Sequence, residues 1–265
     1  MKKKILIFIP AYNAANHIFN TFYLIPFNIL DKLGSISYLI INDCSDDDTN
    51  LEIIRIIKNK KKLKIFVINN KKNLGYGGVQ KLAFNFSIKN NFNFCIMLHS
   101  DGQYHPKYLP KFIKLLNKYS IYNYKNTYQN FFVAGVFGSR MIYWKNALKG
   151  NMPIYKFIGN KVLTFIQNTL LSTKFSEFHS GYRSYNTSVL KNINFNKLTN
   201  NFHFDTEIIL ELLKKKFLIK EFPIMTHYGN EVSHLKSIPY GLSILKITFF
   251  FFFKNLFLKF IKKKF

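Results

Sequence analysis

The stretch "LHSDGQYHP", residues 98–106, closes an apolar run, "FCIML", on a histidine and a carboxylate two positions apart. Extended residues at i and i+2 point to the same side, so His99 and Asp101 can share one ligand. Together with Gln103 they offer an imidazole, a carboxylate and an amide oxygen within five positions. Mg²⁺ takes carboxylates, waters and substrate phosphates, whereas Mn²⁺ accepts an imidazole more readily. A metal holding a diphosphate is therefore one reading. The plain alternative is a polar turn after a strand, with His99 bonded to backbone. His105 stands just before Pro106, where a helix should start, and reads as a surface residue.

The elements that must position these residues alternate. Strands are expected over 4–10, 37–43, 63–69, 92–98, 131–138 and 217–224, with helices near 14–32, 48–60, 77–90 and 106–119. Most of the early strands are continuous Ile, Val and Phe runs, the pattern of parallel strands covered by helices on both faces. This spacing predicts βαβ units and a doubly wound α/β sheet. In such sheets ligands bind outside the carboxyl ends of the strands. Four ends then line one crevice: Pro10-Ala11-Tyr12-Asn13, Asn42-Asp43 with "CSDDDT", "NNKKNLGYGG", and His99-Ser100-Asp101. A cluster of scarce carboxylates at that edge is better explained by a ligand than by solvation. Residues 117–130, polar and rich in tyrosine, should be the segment of lowest order.

"NLGYGGVQK" (73–81) is not a dinucleotide fingerprint, because Gln80 stands where GxGxxG needs its last glycine and the first strand lies far upstream. No GxxxxGK[ST] occurs. Glycines that let a helix N-terminus approach a ligand remain one reading, and a tight strand-to-helix turn the other.

Composition sets the bounds. The chain has 265 residues, enough for one large domain with a sizeable core. Two cysteines, Cys44 and Cys95, argue against a disulfide framework and fit a reducing compartment. The opening "MKKKILIFIPAYN" resembles a signal peptide, but its apolar run stops at Pro10, and it reads as a first strand. Net charge is +26, from 39 Lys+Arg against 13 Asp+Glu, which suits nucleic acid, anionic membrane or phosphorylated substrates. The joint richness in Lys, Asn, Ile, Phe and Tyr also follows from an A/T-biased genome, so location of charge matters more than its total.

The ordered motifs "IPAYNAA" (9–15), "INDCSDDDT" (41–49), "NLGYGG" (73–78) and "SDGQYHP" (100–106) resemble the signatures of family 2 glycosyltransferases with the GT-A fold. Four later pieces, "GSR" (138–140), "GNKVLTFIQN" (159–168), "EFHSGYRSYN" (177–186) and "FDTEIILELLKKKFLIKEFPI" (204–224), are similar to the branch of dolichyl- and polyprenyl-phosphate sugar transferases. The likeness spans roughly residues 4–231. It implies a Rossmann-like, mostly parallel sheet flanked by helices, over residues 1–235, followed by a separate tail over 236–265.

The resemblance also implies roles. Asp43 matches the aspartate that hydrogen-bonds base or ribose, and Pro10, Tyr12 and Asn13 the loop against the nucleoside. Gly75 and Ser100, inside the matching motifs, complete the nucleotide-sugar set with Asp101 and Arg140. Asp101 matches the second aspartate of DxD, a metal ligand, and Gln103 a glutamine that can join the metal shell. His99 replaces the first aspartate, as in some members of the branch, and this leaves open whether Mg²⁺ or Mn²⁺ is bound. Arg140 and Arg183 match basic positions near donor and acceptor phosphates, and Glu177 an acidic position. Asp101, Arg183 and Glu177 are thus the expected catalytic set of an inverting transfer from a UDP- or GDP-sugar.

A sugar hydroxyl acceptor needs a general base, whereas a lipid monophosphate is already an anion and needs a positive socket. "SGYRSYN" and "GSR", with Lys156 and Lys161, supply such a socket and favour a polyprenyl phosphate. The runner-up is a saccharide, glycolipid or lipopolysaccharide acceptor. A rival of another class is a non-catalytic basic protein binding membrane or nucleic acid, which the ordered motifs disfavour, and no nucleic-acid partner is expected.

From Pro239 the sequence turns to "PYGLSILKITFFFFFKNLFLKFIKKKF". On a helix Phe249, Phe252, Phe253, Leu256 and Phe260 share a face, Thr248, Asn255, Lys259 and Lys262 fall opposite, and Phe251 and Leu258 intrude on the polar side. This reads as an amphipathic helix on an anionic membrane, placing the enzyme peripherally at the cytoplasmic face. Alternatives are a core-packing terminal helix, a protein contact, or a short tilted span.

Overall fold

The computed structural model describes residues 2–122, 133–229 and 237–264. The first half runs β1 (Lys4–Ala11), α1 (Ala15–Tyr23), α2 (Phe27–Leu33), β2 (Ser35–Asn42), α3 (Thr49–Asn59), β3 (Ile65–Asn69), α4 (Gly75–Lys89) and β4 (Phe94–Met97). Then come α5 (Leu109–Tyr122), β5 (Val133–Ser139), α6 (Trp144–Lys149), α7 (Ile154–Leu171), β6 (Arg183–Asn186) and α8 (Thr187–Leu190). The chain closes with α9 (Phe204–Lys214), β7 (Leu218–Pro223) and α10 (Ser237–Lys264). Seven strands form one sheet in the order β3-β2-β1-β4-β6-β5-β7. All pairs are parallel except those of β6, which is antiparallel to β4 and β5.

The continuous apolar runs have the cause expected of them. Along β1, Ile5, Ile7 and Ile9 enter one core with Ile18, Phe22 and Phe112, while Leu6 and Phe8 enter the other with Val79, Phe84 and Phe204. Side chains alternate across a strand, so a strand between two helical layers must be apolar at every position. The two edge strands, β3 and β7, are the half-buried ones.

Several boundaries differ from the sequence reading. The helix expected over 14–32 is two, because Pro26 precedes α2 and a proline inside a helix removes a backbone donor and clashes with the preceding turn. Part of the carboxylate cluster is structural: Asp47 accepts the Ala15 N–H (3.0 Å) and the Thr49 N–H (2.9 Å), tying together the starts of α1 and α3. Residues 117–122 finish α5, and the rest of the expected low-order segment, 123–130, lies outside the described residues.

The side of α10 opposite its phenylalanines is covered by protein rather than water. Ile244 and Thr248 are fully buried, and the Gln167 amide on α7 donates to the Thr248 hydroxyl (3.5 Å). Ser237–Lys254 is nonetheless long and apolar enough to cross a membrane, by length and composition. The side chains of Asn255 and of residues 258–265, including Leu258, Lys259, Phe260 and Lys262, lie outside the described residues.

The main correction concerns Arg183, expected in an acceptor socket. It opens β6, a strand too short and polar to be read from the sequence, and is 1% exposed. Its guanidinium donates to the carbonyls of Ser180 (2.7 Å), Asp205 (2.7 Å) and Phe178 (2.6 Å) and lies over the Phe137 ring. With those donors engaged and Asp205 Oδ2 at 3.7 Å, Arg183 pins β6 to α9 and does not reach a substrate. Arg183→Ala should therefore cost about 3–5 kcal/mol, as removal of one member of a buried ion pair does. Urea unfolding measures it, and a variant as stable as the parent but inactive would return Arg183 to the site.

Candidate active site

The strand ends converge as the topology requires. β1 and β2 finish in register, Ala11 beside Asn42, and the Asp43 N–H donates to the Ala11 carbonyl (2.8 Å). The chain leaves β4 alongside β1, where the Leu98 N–H donates to the Phe8 carbonyl (2.9 Å). Pro10, Tyr12, Asn13, Asp43, Ser100 and Asp101 thus gather at one edge. Asn13 and Cys44 both take left-handed backbone conformations (φ 49° and 62°), uncommon for residues with a side chain and frequent at functional edges.

Asp43 is buried and serves this edge from beneath. Its Oδ1 accepts from the Asn70 amide (2.7 Å) and the Leu74 N–H (2.9 Å), and Oδ2 from the Gly75 N–H (3.0 Å). Gly75 has φ 78°, a conformation that favours glycine. The carboxylate therefore holds the start of α4 against the crevice. The Asn13 amide oxygen accepts the Asp46 N–H (3.1 Å), and Tyr12 is exposed above. Ser100 is buried and contributes its carbonyl to Thr21 (3.2 Å).

Beyond Asp101 a cavity of 320 Å³ opens, with His99, Asp101 and Gln103 on one wall. Arg140, Lys156, Asn160, His179, Asp205 and Tyr228 stand among the others, and Tyr240 of α10 closes one side. Asp101 Oδ1 accepts the Gln103 N–H (3.0 Å), leaving its second oxygen for another partner. His99 Nε2 lies 3.2 Å from the Gly181 carbonyl, the backbone-bonded alternative, so Nδ1 is the nitrogen left for a ligand. A Cβ on residue 181 would come within 2.6 Å of that ring, so only glycine fits there.

Among the described residues no three His, Cys, Asp or Glu side chains close around a cation. One carboxylate with an imidazole and an amide is an open donor set. Such a set fits a divalent cation shared with substrate phosphates, because Mg²⁺ sites commonly use one or two carboxylates and complete the shell from the ligand.

Arg140 faces the cavity from a buried pair. Glu177, 4% exposed, accepts the Arg140 backbone N–H (2.7 Å), its Nε (2.8 Å) and one Nη, together with the Asn160 amide (2.6 Å). The guanidinium also donates to the Tyr228 hydroxyl and to the His179 carbonyl (3.0 Å). Glu177, expected to be catalytic, is not on the cavity wall and acts by positioning Arg140. Burial pushes its carboxyl up, but the Arg140 charge and the hydrogen bonds outweigh that and hold it below the ordinary carboxylate range.

Several walls escaped the sequence reading. His179 stood inside a quoted motif unassigned, and Asn160 was a polar residue in the middle of a helical stretch. Asp205 was a scarce acid, and it accepts from the Tyr76 hydroxyl (2.8 Å) and the Gln80 amide (3.0 Å). Tyr228 and Tyr240 carried no local signal, because the return of the chain alone brings them here. The His179 Nδ1 pairs with the Tyr240 hydroxyl (3.2 Å), and Nε2 is buried without a protein partner. Burial lowers the His179 pKa to about 3, against the opposing pull of Glu177, so the ring is neutral.

A family model described as "Glycosyl transferase family 2" matches residues 6–193. The chain is 29% identical over 245 residues to an uncharacterized protein of Methanocaldococcus jannaschii, covering 92% of this chain and 90% of that one. It is 27% identical over 264 residues to the UDP-N-acetylglucosamine–dolichyl-phosphate N-acetylglucosaminyltransferase of Methanococcus voltae, covering 92% and 97%. Among solved structures, glucosyl-3-phosphoglycerate synthase of Mycobacterium tuberculosis matches with a TM-score of 0.60 at 12% identity, over 92% of this chain and 78% of that one. The same enzyme with Mn²⁺, UDP and phosphoglyceric acid matches at 0.58 and 12%, over 87% and 72%. At such identity the likeness is one of fold, and it bears out the GT-A expectation.

The neutral, buried His179 makes stability depend on pH. The unfolded chain binds a proton near pH 6.5 that the folded chain refuses until about pH 3, so stability falls as pH drops across that window. Glu177, held low in the fold, adds loss of the same sign at the acid end. Melting temperatures from pH 7 to 4 should decline less in His179→Gln than in the parent; equal declines would refute the assignment.

Proposed function

The chain belongs to glycosyl transferase family 2, and on that premise we propose that it transfers a sugar from a UDP- or GDP-sugar to a polyprenyl phosphate at the cytoplasmic face of a membrane. The observation that carries this reading is the charge state of the cavity's far wall. Arg140, Lys156 and the neutral His179 face it, while the oxygens of Asp205 are engaged by Tyr76 and Gln80. A hydroxyl acceptor needs a base with a pKa near the working pH, and a histidine with a pKa of about 3 is a poor one. A phosphate monoester needs no base. It needs the donors present here: a guanidinium, an ammonium and the Nε2 of an imidazole whose Nδ1 faces Tyr240. The relative from Methanococcus voltae, named for a dolichyl-phosphate acceptor, supports the same class.

On the donor side, Pro10, Tyr12 and Asn13 would flank the nucleoside, with Asp43 holding the Leu74–Gly75 turn beneath it. Asp101 with His99 and Gln103 would hold Mg²⁺ or Mn²⁺ between protein and diphosphate. Bound there, the ion supplies Lewis-acid stabilisation of the leaving group. Arg140, fixed by Glu177, presents its charge without reorganising, and this makes a preorganised donor effective. In a single displacement, an acceptor phosphate oxygen bonds to the anomeric carbon as the bond to the nucleoside diphosphate breaks.

A second reading, a saccharide or glycolipid acceptor, draws on the unpartnered His179 Nε2 as a hydroxyl acceptor group. Labelled nucleotide sugars incubated with short, soluble prenyl phosphates separate the two. Label in an organic-extractable, acid-labile product is expected, and label entering only saccharides would overturn the primary reading. Asp101→Asn should lower kcat/KM about 100-fold or more, and EDTA should do the same with rescue by Mn²⁺ or Mg²⁺. Full activity in EDTA would remove the metal from the account.

A further inference from the structure

The helix α7 has its polarity reversed for a helix on the surface of a protein in water. At about 100° per residue, Ile154, Tyr155, Ile158, Val162 and Phe165 fall within one arc of roughly 100°, and all five are exposed, Ile154 by 70% and Phe165 by 71%. Asn160, Thr164 and Gln167 lie on the opposite side and are buried. A surface helix in water shows the converse arrangement. The neighbouring helix α10 repeats it. Leu242, Phe249, Phe250, Phe253 and Phe257 are exposed, while Ile244 and Thr248 are buried against α7.

The two helices lie against each other: a Cβ on residue 241 would stand 3.7 Å from the Leu163 side chain, and Thr248 faces Gln167. Both also wall the active-site cavity, α7 through Lys156, Gly159 and Leu163, and α10 through Ser237 and Tyr240. We propose that α7 and α10 together form a face that lies on an anionic lipid surface, with their apolar stripes entering the interface beside the mouth of the cavity.

Charge selects this occupant over a second protein. Residues 141–176 and 237–265 contain no Asp or Glu, while Lys161 borders the α7 stripe, Lys145 and Lys149 lie on the adjoining α6, and Lys246 and Lys254 lie on α10. Apolar stripes edged by lysines alone suit anionic lipid. Trp144 and Tyr143, both exposed at the start of α6, have the amphipathic rings favoured at headgroup depth, and Lys161 Nζ of α7 sits 5.4 Å from the centre of the Trp144 ring. The acidic side chains a protein partner would meet are missing from this face.

That the cavity receives a lipid-linked acceptor from this face rests on the proposed function; the docking itself does not. The test uses the full chain and phosphatidylcholine vesicles with or without phosphatidylglycerol, in the absence of donor and acceptor. The protein should co-sediment with the anionic vesicles and more weakly with neutral ones. The double variant Ile158→Glu/Phe165→Glu should reduce that binding about 10-fold or more while nucleoside diphosphate affinity and melting temperature stay at parental values.

Equal vesicle binding by parent and variant would overturn the proposal, since α10 would then suffice. Absence of binding by the parent would overturn it too. So would a parent that is dimeric without lipid and a variant that is monomeric with unchanged vesicle binding, the mark of a second copy on this face. If soluble prenyl phosphates accept no sugar while vesicle binding behaves as stated, the acceptor assignment fails and the docking face stands.

Discussion

The carboxylate of Glu177 is the constraint from which the site follows. Buried and charged, it must be matched by donors, because a buried ion left unpaired costs several kcal/mol. Arg140 supplies three of them, from the turn after β5, and Asn160 supplies a fourth from α7. Two consequences come together. The guanidinium is held at the cavity wall, and α7 is rotated so that its polar side faces inward. Its apolar side then has nowhere to go but outward. A single buried charge thereby couples the chemistry of the pocket to the character of the surface.

Arg140 and Arg183 show how burial sorts residues of one type. Both are nearly inaccessible and both have an acidic neighbour. Arg183 uses its guanidinium on three backbone carbonyls behind β6, so its charge is absorbed by the fold. Arg140 is fastened from one side by Glu177 and borders the cavity on the other. The first secures the antiparallel strand at the middle of the sheet. The second offers a charge whose position is already fixed before any ligand arrives.

At the other end of the cavity the protein supplies an incomplete set of ligands. His99 is tied to the Gly181 carbonyl and Asp101 to the Gln103 N–H, which orients both without occupying every donor. On the proposed function, the diphosphate of the donor would complete an open set of this kind around the cation. Gly181 links the halves: its carbonyl orients His99, and its N–H is engaged in donating to the Tyr104 hydroxyl (3.0 Å).

The sequence alone determined the α/β class, the order of the early strands and the crevice at their ends. Continuous Ile, Val and Phe runs of strand length, bounded by turn residues, mark strands covered on both faces, and residues after such runs fall at the sheet's carboxyl edge. Asp43, Asp101 and His99 were legible for that reason, and the ordered motifs carried the family. Tertiary structure alone decided which acid and which arginine reach the cavity. Arg140 and Glu177 are 37 positions apart, and Asp205 lies 129 positions from Tyr76; no local pattern states such pairings. The same holds for β6, whose Arg-Ser-Tyr-Asn is polar enough to pass for a loop until β4 and β5 bond it from both sides. It holds for α7 as well. Its stripe of apolar residues was present in the sequence, but whether a stripe faces a core or the outside depends on what claims the opposite side, and here that is a buried carboxylate from another part of the chain.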